Sequence, residues 1–113
     1  MPTVDLVSRY PELVWELRTS GAVVGRLEAL DGETVWISSI VILPDKRGHG
    51  YASLLLDAVL AHFPDITIGL AANPLPSPKG GLDRGQLQAW YGRHGFAPAP
   101  MRGDPHRMIR LPS

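Results

Sequence analysis

The sequence contains no cysteine among its 113 residues. Without a thiol, the chain has no disulfide bond, no cysteine-ligated zinc and no cysteine nucleophile. Its formal net charge is zero, which argues against a dedicated nucleic-acid surface, because such surfaces normally carry a basic excess. It also lacks an apolar run of the roughly 18–20 residues that a membrane helix needs. These absences exclude several classes of protein and leave a small globular domain.

The residues that are present fit that class. Hydrophobic residues make up 44% of the chain and charged residues 19%, as in ordinary globular proteins. The length predicts one domain over residues 1–113, with one modest core. The first residues lack a basic stretch followed by an apolar core, so we expect a cytoplasmic protein rather than a secreted one. No metal is predicted, because the histidines show no metal-ligand spacing. They are His49, His62, His94 and His106.

A glycine-bearing turn is the most informative feature of the chain. Residues 46–52 read Lys-Arg-Gly-His-Gly-Tyr-Ala, and they lie between the apolar run 40–44 and a strongly amphipathic segment. This is the pattern of a strand, a turn and the start of a helix. Such a turn leaves backbone N–H groups free at the positive end of a helix dipole, and its glycines let a ligand approach closely. The sequence therefore predicts a phosphate or pyrophosphate site.

Two common phosphate-binding motifs do not fit this turn. A Walker A loop would continue from Gly50 with Lys and Ser or Thr, but Tyr and Ala follow. A dinucleotide fingerprint would need Gly or Ala where the chain has Ser53, and an acidic residue about 20 positions on, where the stretch offers only Asn73. Residues 47–52 instead resemble the Gln/Arg-x-x-Gly-x-Gly/Ala loop of the GNAT superfamily of acetyltransferases. In that family the loop holds the pyrophosphate of acetyl-coenzyme A.

A second motif supports the same resemblance. Residues 87–96 read Leu-Gln-Ala-Trp-Tyr-Gly-Arg-His-Gly-Phe. They are similar to the family's later helix, which usually ends in a tyrosine, a few polar residues and then Gly-Phe. A predicted strand at 65–72 separates the two motifs, as the order of the family's elements requires. The resemblance covers roughly residues 14 to 111.

Hydrophobic periodicity and turn residues predict the elements of the chain. Both faces of residues 35–43 are apolar except at Ser38 and Ser39, which indicates a central strand covered on both sides. The predicted elements are strands at 13–18, 23–30 and 35–43, a helix at 51–62, a strand at 65–72, a loop at 73–85, a helix at 86–94, a strand opening at Phe96 and a last strand at 107–111.

The resemblance implies an α/β fold of the GNAT type, with a mixed, mostly antiparallel twisted sheet of about six strands and helices on both faces. Most family members carry one or two helices between their first and second strands. The present sequence has too few residues for them, so we expect them to be missing or reduced to a turn near Tyr10-Pro11. The resemblance also implies that the strands at 35–43 and 65–72 splay apart and form a cleft.

The same resemblance implies the coenzyme site. The pantetheine arm would pair with the backbone of Ile40, Val41 and Ile42, and a main-chain N–H there would polarise the thioester carbonyl. The expected cofactor-binding residues are Ile40, Val41, Ile42, Arg47, Gly48, His49, Gly50, Tyr51, Ala52 and Asn73.

The resemblance and the topology also suggest catalytic residues. In the family, the equivalent of Tyr91 lies near the coenzyme sulfur and donates a proton to the departing thiolate; core packing with a locally satisfied hydroxyl is the alternative. Glu28 and Glu33 are candidates for the general base, with solvated hairpin carboxylates as the alternative. Ser38 or Ser39 could position a water. No Ser–His pair is evident from the sequence, so no covalent intermediate is expected.

The sequence thus predicts an N-acetyltransferase that moves an acetyl group from acetyl-coenzyme A to a primary amine by direct attack. The expected acceptor is a small-molecule or peptide amine, not a nucleic acid or a membrane, and a homodimer is left open. Two alternatives also stay open. One is a catalytically degenerate acetyl-coenzyme A-binding module that acts as a sensor or assembly element, because the missing early helices usually wall the acceptor site. The other is an unrelated binding module whose glycine-rich turn is structural.

Overall fold

The computed structural model describes residues 2–72 and 83–112. In these ranges it contains two α-helices and one seven-stranded sheet, with the strand order β1-β2-β3-β4-β5-β7-β6. Every strand pair is antiparallel except β4 with β5, so the predicted mixed, mostly antiparallel sheet is confirmed. The elements are β1 (Thr3–Ser8), β2 (Leu13–Thr19), β3 (Ala22–Leu30), β4 (Val35–Ile42), α1 (Tyr51–His62), β5 (Ile68–Ala71), α2 (Arg84–Arg93), β6 (Ala97–Pro98) and β7 (Arg107–Arg110).

Strand β1 was not predicted from the sequence. It lies at the edge of the sheet and pairs with β2, with Val4 opposite Leu17 and Leu6 opposite Trp15. Only residues 9–12 connect β1 to β2, so there is no room for a helix between them, as the sequence indicated. Every second residue of β1 is exposed, and its two inward apolar side chains are only half-buried against the core. An edge strand of this kind gives a weak hydrophobic signal.

Both described helices lie on the same face of the sheet. Helix α1 packs there because Leu55, Leu56 and Val59 are fully buried. Helix α2 shares that face, since Ile40 of β4 lines one cavity together with residues of α1 and of α2. The prediction of helices on both faces is therefore not met in the described residues. The physical reason is the short connection between β1 and β2, which leaves no chain to cover the second face.

The second face of the sheet carries ion pairs over β2 and β3, although Val14 of β2 is buried there. Side chains alternate between faces along a strand, and the ion pairs Arg18–Glu16 at 3.0 Å and Arg26–Glu28 at 3.3 Å lie on the side away from the helices. Val41 of β4 is 45% exposed. Strand β4 is therefore central in the sheet but is not covered on both sides, contrary to the sequence-based expectation.

A bulge in β4 marks the point where the sheet opens. Strand β4 pairs with β5 only through three residues, from Val35 opposite Ile68 to Ile37 opposite Leu70. The register between β3 and β4 shifts immediately afterwards and leaves Ser38 unpaired, and its hydroxyl donates to the Glu28 carbonyl at 3.1 Å. A bulge bends its strand and strengthens the local twist. Beyond the bulge, β4 has no partner strand on its β5 side in the described residues, so a cleft opens there.

Close packing between the sheet and α1 requires a glycine in β3. A Cβ atom on Gly25 would lie 2.5 Å from Cδ1 of Ile42 and 3.2 Å from Cδ1 of Leu55. Both of these side chains are buried in the core, so neither can move aside without disturbing its own neighbours.

We therefore expect Gly25→Ala to lower the free energy of unfolding by roughly 1–3 kcal/mol, the usual effect of overpacking. Gly92→Ala is the matched control, because a Cβ there meets nothing within 4 Å and alanine favours the helix by up to about 1 kcal/mol. Urea unfolding of both variants measures the difference. Equal free energies of unfolding for the two variants would show that the core can accommodate a methyl group at position 25.

Candidate active site

The turn before α1 is built around two glycines. Gly48 and Gly50 have φ angles of 85° and 76°, in the left-handed region that glycine adopts without strain. A Cβ atom on either would meet nothing within 4 Å. Crowding by the protein therefore does not explain these glycines. The turn needs their backbone conformations and leaves open space in front of the helix.

The first turn of α1 presents free backbone donors to that space. Gly50 is the N-cap residue and makes no side-chain capping bond, and its carbonyl accepts from the Leu54 amide at 3.2 Å. Within the described residues, the amides of residues 50–53 donate no hydrogen bond. Four free N–H groups at the positive end of a helix dipole suit an anion. Arg47 is exposed beside them, and the His49 ring stacks on Tyr51 with centroids 5.4 Å apart.

The open edge of β4 also carries unpaired backbone groups. The Leu43 amide donates to the Val24 carbonyl of β3 at 2.9 Å. Because successive residues of a strand direct their backbone groups to opposite edges, the groups of Ile40 and Ile42 point away from β3 and into the cleft. A strand-like ligand could pair with them there.

A cavity of about 210 Å³ adjoins this open edge. It is bounded by β4, by the first turn of α1 and by α2, and its lining is mainly apolar. The lining residues are Ile40, Ala52, Leu87, Trp90 and Tyr91. The sequence-based prediction included Ile40, Ala52 and Tyr91 but did not include the other two. Their spacing in α2 places Leu87 and Trp90 on the same helical face as Tyr91, which is the signal that could have identified them.

Helix α2 holds Tyr91 in the wall of this cavity. Tyr91 is only 8% exposed, and its ring packs edge-on against Phe96 and Trp90. Its hydroxyl makes no hydrogen bond to another described residue, yet it is not a fully enclosed atom. Burial raises the pKa of the Tyr91 hydroxyl to about 12. The phenol is therefore neutral at physiological pH and has a proton to donate.

The two candidate bases lie in different places. Glu28 is half-buried, pairs with Arg26 and lies opposite Ser39 across the β3–β4 pair, near the bulge. Glu33 is exposed in the connection before β4. That position is roughly 20 Å along the strand from Ile40, at the usual rise of an extended chain. The structure therefore does not bring Glu33 together with the other predicted residues. Asn73 lies outside the described residues.

The structure brings together a serine, a histidine and an aspartate that the sequence analysis did not connect. Nε2 of His94 lies 3.2 Å from the Ser53 hydroxyl, and Nδ1 lies 3.3 Å from a carboxylate oxygen of Asp57. A Ser–His pair therefore exists, contrary to the sequence-based expectation. Ser53 does not line the cavity that contains Tyr91, and Asp57 is 63% exposed. Direct transfer without a covalent intermediate thus stays the working prediction.

A family model of the GNAT acetyltransferases matches residues 5–74, more than half of the 113-residue chain. The chain belongs to the GNAT acetyltransferase family. The match begins inside β1, so it extends the resemblance to the strand that the sequence analysis did not predict. A search of curated proteins found no match to this chain.

Solved structures share the GNAT fold with this chain. An acyl-CoA N-acyltransferase from Pseudomonas aeruginosa is 24% identical, with a TM-score of 0.68 over 88% of this chain and 68% of its own. The PaiA N-acetyltransferase from Thermoplasma acidophilum, solved in complex with coenzyme A, is 12% identical, with a TM-score of 0.64 over 88% of this chain and 60% of its own. The anti-CRISPR protein AcrVA5 is 21% identical, with a TM-score of 0.65 over 85% of this chain and 96% of its own.

The family match supports acetyl-coenzyme A-dependent acyl transfer as the general chemistry of this GNAT chain. The turn before α1 offers free donors that would suit the coenzyme's diphosphate, and the cavity beside β4 has a mainly apolar lining that would suit its arm. None of the helices in the described residues is long and apolar enough to span a membrane.

We expect Tyr91→Phe to change the free energy of unfolding by less than about 1 kcal/mol, the usual contribution of one hydrogen bond, because the hydroxyl has no partner in the described residues. Tyr91→Ala removes the packed ring and should cost about 3–5 kcal/mol. Denaturant unfolding of the two variants tests this. A larger loss in the phenylalanine variant would mean that the hydroxyl is a structural hydrogen-bonding group.

Proposed function

We propose that this GNAT protein transfers an acetyl group from acetyl-coenzyme A to a primary amine by direct attack. The observation that carries the proposal is the placement, around one cleft, of a turn with free donors and a neutral tyrosine hydroxyl that has no partner among the described residues. The first suits a diphosphate, and the second suits a departing thiolate. Both lie beside the cleft that opens where β4 and β5 separate.

The residues of the turn would hold the coenzyme's diphosphate. The free amides of residues 50–53 would donate to its oxygens, and Arg47 would add a charge-assisted contact. Gly48 and His49 shape the turn, and the ring of Tyr51 stands beside it. The unpaired backbone of β4 at Ile40 and Ile42 would pair with the amides of the pantetheine arm, with Val41 between them.

The reaction then needs few protein groups. The acceptor nitrogen attacks the thioester carbonyl carbon, a C–N bond forms, and the C–S bond breaks. A main-chain N–H of β4 that points into the cleft would stabilise the charge that develops on the carbonyl oxygen. The sulfur gains one proton and the nitrogen loses one, so the protons balance.

The raised pKa of Tyr91 limits how it can act. A phenol with a pKa of about 12 is a weaker acid than a simple thiol, whose pKa is about 8.5. Complete transfer to a free thiolate would therefore be uphill. We infer that Tyr91 donates to the sulfur while the C–S bond breaks, that the proton lost by the acceptor nitrogen passes to a separate base, and that Tyr91 regains its proton from solvent after the reaction while the base releases its own there.

The acceptor would approach from the face of the sheet that carries no described helix. Glu28 and Ser39 lie on that side, next to the bulge, so Glu28 is the better candidate for accepting the amine proton, directly or through a water held by Ser39 or Ser38. Glu33 would act only at a distance. A small-molecule or peptide amine remains the proposed acceptor, in a cytoplasmic setting, with no nucleic acid or membrane involved and a homodimer left open.

A non-catalytic coenzyme-binding module is the second candidate. The observation in its favour is the face of the sheet that carries no described helix. Without helices between β1 and β2, few described residues would enclose an acceptor there. Release of free thiol from acetyl-coenzyme A in the presence of a panel of amines separates the two functions, because a sensor would bind the coenzyme without turnover.

Coenzyme A should raise the melting temperature. A ligand at about a hundredfold over its dissociation constant adds roughly 2.7 kcal/mol to stability, which for a chain of this size corresponds to about 10 °C. Gly50→Val should abolish the shift, because a branched side chain would fill the space in front of the helix.

Gly21→Val is the matched control for that variant. Gly21 also has a positive φ, 81°, and open space around its Cβ position, but it lies in the β2–β3 turn. The Gly21→Val variant should have similar backbone strain, but coenzyme A should still raise its melting temperature. If millimolar coenzyme A leaves the wild-type melting temperature unchanged, the proposed coenzyme site is wrong.

Tyr91→Phe should lower the rate constant of turnover on the order of 10²-fold, a typical effect of losing an acid catalyst. A group with a pKa of about 12 stays protonated below that pH, so its contribution is constant across neutral pH and is lost only as pH rises through the pKa. The pH–rate profiles of the two proteins between about pH 6 and 9 should therefore have one shape and a constant offset.

Tyr10→Phe, at a residue that is 89% exposed, is the control and should leave the rate unchanged. An offset that varies with pH would contradict this role.

A further inference from the structure

Three side chains from α1 and α2 form a hydrogen-bonded chain, which we call the Ser53–His94–Asp57 relay. Ser53 and Asp57 lie one turn apart on the same side of α1, and His94 follows the last residue of α2. The imidazole is 15% exposed and packs against Trp90, with ring centroids 4.8 Å apart. Both of its nitrogens are engaged, at 3.2 Å and 3.3 Å. The proposed mechanism of acetyl transfer uses none of the three.

The carboxylate of Asp57 determines which nitrogen of the His94 ring always carries a proton. An ionised carboxylate only accepts hydrogen bonds, so Nδ1 of His94 must carry a proton. Nε2 then has two states. In the neutral ring it is a bare acceptor, and in the charged ring it is a donor.

The state of Nε2 decides what the Ser53 hydroxyl can offer to a ligand. Facing a bare Nε2, the hydroxyl donates its only proton to the ring and presents lone pairs to its other neighbours. Facing a protonated Nε2, the hydroxyl oxygen accepts from the ring, and its own proton is free to donate elsewhere. Lone pairs repel an anion, whereas a free O–H donor binds one.

Ser53 lies where this difference matters. It is the third residue of α1, and its backbone amide is among those that donate to no described residue. Side chains on a helix lean towards its N-terminus. The hydroxyl therefore leans towards the turn that, in the proposed function, holds the diphosphate.

We propose that His94, held by Asp57, sets the hydrogen-bonding state of Ser53 and so couples binding of the coenzyme's diphosphate to the uptake of one proton. This inference rests on the proposed function of the turn. The charged ring leaves the Ser53 proton free to donate to a phosphate oxygen, so affinity for the coenzyme rises as pH falls and the ring gains its second proton. His94 acts as a positioning residue, since it reaches the ligand only through Ser53.

The other charged groups nearby differ in what they can contribute. Arg93 precedes His94 on α2, and Arg110 of β7 lies along Gly95, with Nε 3.3 Å from the site of a Cβ there; neither arginine titrates in the neutral range. His49, in the turn itself, does belong to a titrating type. It is therefore the rival source of any pH dependence and requires its own control.

The test uses 3′-dephospho-coenzyme A as the ligand. Coenzyme A carries a terminal phosphate whose second ionisation falls near pH 6, as in other phosphate monoesters, and this would mask the effect. The dephospho compound keeps the diphosphate and lacks that group. Its dissociation constant is measured between about pH 6 and 8, and calorimetry in buffers of different ionisation enthalpy gives the number of protons taken up.

For the wild-type protein we expect the dissociation constant to rise roughly tenfold from pH 6 to pH 8, the size of one charge-assisted hydrogen bond, with measurable proton uptake on binding. His94→Asn and Ser53→Ala should bind more weakly at pH 6 and show neither pH dependence nor uptake. His49→Asn should keep both, whatever its overall affinity. Ser53→Ala removes only the hydroxyl oxygen, and alanine is compatible with the helix. This variant therefore tests the proposal even if the His94 variant does not fold.

The outcomes are distinct. Binding by the wild type with no pH dependence, or a dependence that persists in Ser53→Ala, overturns the relay and leaves the proposed function intact. A dependence that disappears only in His49→Asn also overturns it and assigns the effect to the turn. Absence of binding at every pH removes the proposed coenzyme site itself, and the relay with it.

Discussion

The candidate site depends on the place where β4 stops pairing with β5. Three residue pairs join these strands before the bulge at Ser38 turns β4 away. Every backbone group in a sheet needs a partner, so the divergence leaves the groups of Ile40 and Ile42 without one among the described residues. The free edge of β4 and the cavity beside it follow from that separation. A strand that stayed paired to its end would fill the cleft with its own hydrogen bonds.

The absence of a helix between β1 and β2 shapes the rest of the molecule. With both described helices on one face, that face holds the candidate cleft and the fully buried residues of the core cluster. The other face carries two Arg–Glu pairs, and an antiparallel sheet can expose such a face to water. Exposed pairs of this type contribute little stability, so the energy of the fold comes from the helix side. The two faces thus differ: one is packed by the helices and is the proposed side for the donor, and the other is the proposed side for the acceptor.

The sequence predicted the parts of the site that local signals define. The turn and α1 were found because the glycines and the apolar periodicity occur within a few residues of each other, and Tyr91 was found through its spacing from Gly95-Phe96. Strand β1 was not found, since an edge strand with half its side chains in water has little hydrophobic contrast. The bulge at Ser38 was not found either, because register is a property of two strands together. Ser53 and His94 are 41 positions apart, and only the packing of α2 against α1 brings them into contact.

The short connection between β1 and β2 also has a consequence for how the chain folds. Strands β1 to β4 form a meander whose hairpins close short loops, and short loops lose little entropy on closure. Strand β5 joins β4 only after the chain has crossed the sheet through α1, so its pairing is non-local and is intrinsically slower. The cleft beside β4 does not exist until that pairing forms. The candidate binding site is therefore completed by a strand contact between distant parts of the chain, while the strands that support it pair with their neighbours in sequence.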